Sequence, residues 1–167
     1  MEIFKNIFDS LNRERVKYML AGGVAVNLYG VERATADLDI VVLLEEKNLL
    51  KFVSAVQRLG LRPKMPVKLE DFIDSKKRRK WIATKGMKVF SLYDPKNPFF
   101  LMDVFTEVSF DFNEVYKRRK KIRLEDTLIS LVPITILIEM KEGTGRPQDQ
   151  ADVFHLAKIA ESLDHGK

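Results

Sequence analysis

At 167 residues, 46% hydrophobic and 32% charged, the chain reads as a soluble globular protein of one ordinary domain, with no length left for a second large one. It has no cysteine, which excludes disulfides and thiolate metal sites and suits a reducing cytoplasm, and with only His155 and His165 it argues against a histidine metal cluster or a histidine-dependent triad. The net charge of +5 favours anionic partners, Glu2, Lys5 and Asp9 interrupt any signal-peptide pattern, and the apolar run Leu128–Ile138, broken by Pro133, is too short to span a membrane.

Residues 1–13 place Ile3, Phe4, Ile7, Phe8 and Leu11 at helical spacing, which predicts an amphipathic first helix. Arg15–Ala21 reads as a strand entering a buried sheet, ended by Gly22-Gly23. Ala25, Val26, Leu28 and Tyr29 then suit a short helix closed by Gly30, so the amides after Gly23 would face outward as a seat for phosphate oxygens. The next strand begins around Asp37 in ATADLDIVVLL, and Glu45–Leu59 is a second amphipathic helix stopped by Gly60. Pro63 and Pro66 obscure the following segment, in which Leu69, Phe72 and Ile73 suggest a short helix. Trp81–Thr84, Lys85-Gly86 and Met87–Tyr93 are expected to form a hairpin. The turn signal Asp94-Pro95-Lys96-Asn97-Pro98 leads into Phe99–Val108, a strand apolar enough to be central. Asp111–Tyr116 is a brief helix, a strand or turn follows to Leu131, Pro133 starts another helix, and a last one runs from about Pro147 to Leu163.

The chemistry concentrates on three carboxylates. Asp37 and Asp39 alternate with Leu38 and Ile40, so both face the same way on their strand while the apolar pair enters the core. Two carboxylates side by side repel; they are tolerated in water, or around a divalent cation such as Mg2+, which takes one or two protein carboxylates and completes its shell with phosphates. Asp103 lies in the middle of LMDVF, where an unpaired carboxylate costs several kcal/mol and demands a cation or a full set of hydrogen bonds. Glu107, on the same face by alternation, is its rival.

Gly22-Gly23, Arg33, Thr35, Asp37 and Asp39 together resemble the signature of the DNA polymerase beta-like nucleotidyltransferase superfamily: a glycine turn, a short helix, then a strand bearing Asp-x-Asp. The block is most similar to the small AbiE-type, or abortive-infection, toxins. ILIEMKEGTGRPQDQADVFHL resembles the later AbiE-type pattern through Lys141, Arg146, Asp149 and Asp152, with Gln148 where lysine is usual. Asp149 and Asp152 share a helix face, where they would serve equally as negative charge at a helix N-terminus.

The resemblance implies an α+β fold with an α/β-like core, in which a mixed central sheet carries flanking helices as a minimal nucleotidyltransferase domain. It also implies transfer of a nucleoside monophosphate from an NTP to an acceptor. In that reading Asp37, Asp39 and Asp103 bind two Mg2+ ions, on the order of 3.5–4 Å apart, and Asp103 helps to deprotonate the acceptor. Gly22, Gly23, Arg33, Thr35, Lys141 and Asp149 serve the nucleotide, Lys141 by stabilising charge on the leaving pyrophosphate. The acceptor is RNA (tRNA in particular), a protein or a small molecule, and a toxin–antitoxin setting would add a cognate antitoxin or a homo-oligomer. Two other classes stay open: a catalytically silent module that keeps the fold, and a basic nucleic-acid-binding domain in which Lys76–Lys80 and Lys117–Arg123 grip phosphates.

Overall fold

The computed structural model describes residues 2–165; Met1, Gly166 and Lys167 lie outside the described residues. Helix α1 (Glu2–Arg13) buries Ile7, Phe8 and Leu11 against the sheet, as its periodicity predicts. The first strand, β1 (Tyr18–Leu20), starts later than expected, because Arg15 takes a left-handed φ of 55° and the Val16 amide bonds back to Leu11, so residues 14–17 turn the chain instead of extending it. Helix α2 (Gly22–Leu28) begins at the diglycine itself, and strand β2 (Asp37–Val42) and helix α3 (Glu46–Leu59) follow. Gly60 closes α3 at φ 73°.

The expected hairpin from Trp81 to Tyr93 is not formed. Residues Ser75–Lys85 are a helix, α4, because its two ends are chemically marked: the Asp74 side chain accepts from the Lys76 and Lys77 amides, and Gly86 takes the left-handed φ of 59° that ends it. Trp81 packs inward from α4 and stacks on Phe90 with 5.6 Å between ring centres. The hairpin instead joins β4 (Val89–Asp94) to β5 (Asn97–Phe105) through Pro95-Lys96, on the turn signal read from the sequence. Before α4 lie a two-residue edge strand, β3 (Arg62–Pro63), which no pattern announces, and a short 3-10 turn at Leu69–Ile73. The chain ends with α5 (Phe112–Lys117), the hairpin β6 (Lys120–Leu124) and β7 (Thr127–Leu131), then α6 (Ile134–Glu142) and α7 (Pro147–His165).

The strands form one seven-stranded mixed sheet in the order β3-β4-β5-β2-β1-β7-β6. β2 with β5 and β1 with β7 are parallel; the other neighbours are antiparallel. This is the α+β architecture expected, with β5 inside the sheet. Leu38, Ile40, Met102 and Val104 are fully buried on one face of β2 and β5, so the alternate residues Asp37, Asp39 and Asp103 are forced onto the other face. The parallel register then sets Asp39 directly opposite Asp103, and Asp37 opposite Leu101. Among the described residues no helix is long and apolar enough to cross a membrane.

Candidate active site

Asp37, Asp39 and Asp103 are each half-buried, and the Oδ1 of Asp103 is enclosed without a hydrogen-bond partner among the described residues. That atom is what the register creates: neighbouring strands bring a second carboxylate beside Asp39, and no donor among the described residues reaches this oxygen of Asp103. Burial, then the charges of Asp103 and Asp37, push Asp39 up to about 6, against the weaker pull of Lys141 and of the Gly23 amide, which donates to it. Gly22, at φ 62°, lies so close to Asp39 that a methyl group built there would fall inside the carboxylate. A methyl at Gly23 would likewise run into the hydroxyl of Thr35 and crowd the guanidinium of Arg33 at 3.0 Å. The diglycine is therefore required first by the protein itself, as room for Asp39, Thr35 and Arg33 to close over the start of α2.

Hard anionic oxygens with an unpartnered buried atom are the donor chemistry that a divalent cation such as Mg2+ takes, and Asp37, Asp39 and Asp103 are the residues that would hold it. Among the described residues no three acidic or histidine side chains make a ready-made cage, so an ion held here would complete its shell with water or phosphate oxygens.

The opposite wall is built of ion pairs. Lys141, only 7% exposed near the end of α6, donates to Asp149 Oδ1 at 2.7 Å and lies 2.8 Å from Asp152 Oδ2. Asp152 also accepts from Arg33, tying α7 to the segment before β2. Asp149 further accepts from Thr144 Oγ1 at 2.7 Å and from Arg146 Nε at 2.6 Å. Burial alone would raise the pKa of Asp149, but the hydrogen bonds from Lys141, Thr144 and Arg146 outweigh it and hold the group at about 2. Asp149 and Asp152 share one helix face as their spacing predicts, and they spend their charge on Lys141, Arg33 and Arg146.

The two walls enclose an open cleft of about 730 Å3. Gly22, Gly23, Arg33, Thr35, Asp37, Asp39, Asp103, Lys141 and Asp149, the residues singled out in the sequence, all line it. Glu107 does not: it is exposed beyond the end of β5, so Asp103 is the carboxylate that the fold delivers. Sequence reasoning missed Thr144, whose hydroxyl orients Asp149, and the far flank formed by Lys88, Val89, Phe105 and Ser109. Thr144, beside Gly143 and Gly145, carried no signal of its own; Lys88 was hidden in the misread hairpin.

The two basic runs lie at opposite ends of the molecule. Lys120, Lys121 and Arg123 decorate the edge strand β6, while the other run is in α4, next to β4 near the opposite edge. Arg78 of that run is buried, donating to the Phe72 and Ile73 carbonyls, and Arg119 of the first is stacked 3.8 Å from the Tyr116 ring.

No family model and no curated protein matches the sequence. Solved structures do match. A lincosamide antibiotic adenylyltransferase, LnuA, with lincomycin bound, superimposes with a TM-score of 0.62 at 16% identity, covering 95% of this chain and 97% of that one. The antibiotic-resistance factor ANT(2'')-Ia, in complex with adenylyl-2''-tobramycin, gives 0.60 at 12% identity, over 97% of this chain and 88% of that one. The chain therefore has the nucleotidyltransferase fold.

Proposed function

We propose that this chain, taken as one catalytic domain, is a Mg2+-dependent nucleotidyltransferase that moves a nucleoside monophosphate from an NTP to a hydroxyl acceptor. One observation carries it: the β2–β5 register stands Asp39 beside Asp103 and leaves an enclosed oxygen of Asp103 without a partner. Such an arrangement costs stability unless a cation fills it. Bound there, Mg2+ would neutralise charge developing on the phosphoryl oxygens and lower the pKa of a coordinated hydroxyl.

The protein's own groups do the rest. Arg33 and Lys141 are held rigidly by Asp152 and Asp149, facing the cleft from the β2 side, where they meet the triphosphate and the leaving pyrophosphate. Thr35 adds a hydroxyl on the same side. The acceptor oxygen attacks the α-phosphorus, the bond to the β-phosphate oxygen breaks, and the acceptor proton passes to Asp103. The acceptor that the comparisons favour is a small molecule, since proteins of this fold with lincomycin or adenylyl-tobramycin bound align over nearly the whole chain. A second reading, an AbiE-type enzyme acting on RNA or protein, draws on the convergence of Lys141, Arg146, Asp149 and Asp152 in a single cluster.

The test is transfer of label from each α-labelled NTP to small molecules, small RNAs or cell protein, with the Asp39→Asn variant alongside. Transfer of α-label but not γ-label, lost in the variant, is the expected result. A folded Asp39→Asn protein with full turnover sinks the proposal.

A further inference from the structure

The strand register sets Ser91 opposite Asp103, with Val89 opposite Phe105 on one side of that pair and Tyr93 opposite Leu101 on the other. Phe90, Leu92, Met102 and Val104, the residues in between, are at most 1% exposed on the opposite face of the sheet. Alternation therefore puts both apolar pairs on the face of Asp103, and among these six residues Asp103 alone is charged. All six are only half-buried, so this stretch of β4 and β5 is an apolar surface left open around a carboxylate. Val89 and Phe105 line the cleft, with Leu137 and Met140 of α6 as its other apolar side chains; Tyr93 and Leu101 continue the surface beyond the lining. The chemistry says which reactant meets it. Gly22 crowds Asp39, Gly23 crowds Thr35 and Arg33, and these groups belong to the β1–β2 side of the carboxylates, whereas β4 lies on the far side of β5. Attacking and leaving oxygens stand in line, on opposite sides of the transferred phosphorus. With the triphosphate on the β1–β2 side, the acceptor comes in over β5 and β4.

We propose that Val89 and Phe105 form the floor of an apolar acceptor subsite, and that it takes the ring or hydrocarbon body of an uncharged alcohol whose hydroxyl stands at Asp103. Phe105 is two residues along β5 from Asp103, roughly 7 Å, so a six-membered ring a bond or two from the reacting hydroxyl lies over Val89 and Phe105. The charged side chains of the facing wall, Glu139, Lys141, Arg146 and Asp149, come from α6, α7 and the turn between them, not from this floor. Selection on the floor is thus by apolar area: a plain sugar brings the hydroxyl without the area, and a charged acceptor brings a charge that the floor does not answer. The assignment rests on the nucleotidyltransferase reading, and it is tested by binding so that the two can fail separately.

With the donor site filled by a non-hydrolysable ATP analogue and Mg2+, phenyl β-glucoside, glucose, glucose 6-phosphate and tobramycin are titrated into the labelled protein and backbone amide shifts are followed. Phenyl glucoside should bind about tenfold tighter than glucose, the gain from covering one ring face, with shifts at Val89 and Phe105. Its affinity should hold within about twofold as sodium chloride rises from about 50 to about 500 mM, since no charge is screened. Val89→Asp, which sets a charge on the floor, should erase the advantage of the phenyl ring and leave the ATP analogue bound as before. Val89→Thr keeps the shape and the strand preference of valine, so it tests the floor in a folded protein, and it should remove part of that advantage. The subsite is overturned if phenyl glucoside binds no tighter than glucose, if glucose 6-phosphate or tobramycin binds wild type tightest, or if the Val89 variants weaken the ATP analogue instead. Absence of label transfer beside an intact preference for the phenyl ring would sink the catalytic reading and leave the apolar subsite standing.

Discussion

Two groups of aspartates face each other across one cleft, and they have opposite electrostatic fates. Asp149 and Asp152 are buried to 3% exposure, yet every charge is answered, by Lys141, Arg33 and Arg146. Asp37, Asp39 and Asp103 make no ion pair among the described residues, and one of their oxygens has no partner at all. The pKa values follow, with Asp149 held at about 2 and Asp39 driven up to about 6. A balanced cluster locks α6, α7 and the approach to β2 together, whereas the unbalanced one leaves charge that a bound cation would answer. The same residue type thus does structural work on one wall and awaits chemistry on the other.

The largest effect that separates the two walls is the loss of one member of each. Asp39→Asn removes a charge that the fold leaves unanswered, so transfer should fall by at least three orders of magnitude, on the order of 4 kcal/mol. The metal-free protein should melt no lower than wild type, because a repelled carboxylate has gone. Lys141→Met does the reverse. It takes the buried cation from Asp149 and Asp152 and leaves Arg146 and Thr144 on the first and Arg33 on the second, so the cost should fall below the roughly 3–5 kcal/mol of a buried charge left with no partner. Denaturant unfolding checks it, and adding Asp149→Asn to Lys141→Met should recover part of the loss. If Lys141→Met unfolds at the wild-type midpoint while Asp39→Asn is strongly destabilised, the assignment of roles to the two walls is inverted.

How far this contrast could be read from residues alone depends on the distance over which it is set. Local patterns reveal α1, α3, β2 and β5, because apolar periodicity and glycine stops are contained within each segment. They also place Asp37 and Asp39 on one face of their strand. The register that joins Asp39 to Asp103 depends on the parallel pairing of strands well separated in sequence, and no local pattern encodes it. The same holds for the bond between Arg33 and Asp152, which lie 119 positions apart in the chain. The failure at α4 is instructive in another way: Trp81 and Ile82 look like strand residues, but the cap at Asp74 and the stop at Gly86 decide the segment. With α4 misread, Lys88 could not be set beside Thr106, and Arg78 looked like part of a solvated basic run although its guanidinium caps the 3-10 turn. Charge runs are legible as sequence; which members point inward is settled only by packing.

The smallest of these effects, and the one most specific to the comparison, is the pH dependence of stability. Asp149 has a folded pKa of about 2, below its ordinary value of 3.8, so the unfolded chain binds more protons between those limits. Its contribution, at most about 2 kcal/mol, is complete above pH 4 and is lost as the pH falls toward 2. Asp39 works in the opposite sense: its folded pKa of about 6 lies above the ordinary value, so the folded state holds the proton more tightly. In metal-free protein, Asp39 therefore costs stability at neutral pH, and that cost is relieved as the pH falls from about 7 through 6 toward 4. Thermal melts of wild type with Mg2+ chelated, compared with Asp39→Asn and Asp149→Asn, isolate the two limbs. The Asp39→Asn difference should appear only above about pH 4 and the Asp149→Asn difference should fade below it. Millimolar Mg2+ should diminish the first and leave the second untouched, because a cation can complete only the wall that the protein itself leaves open.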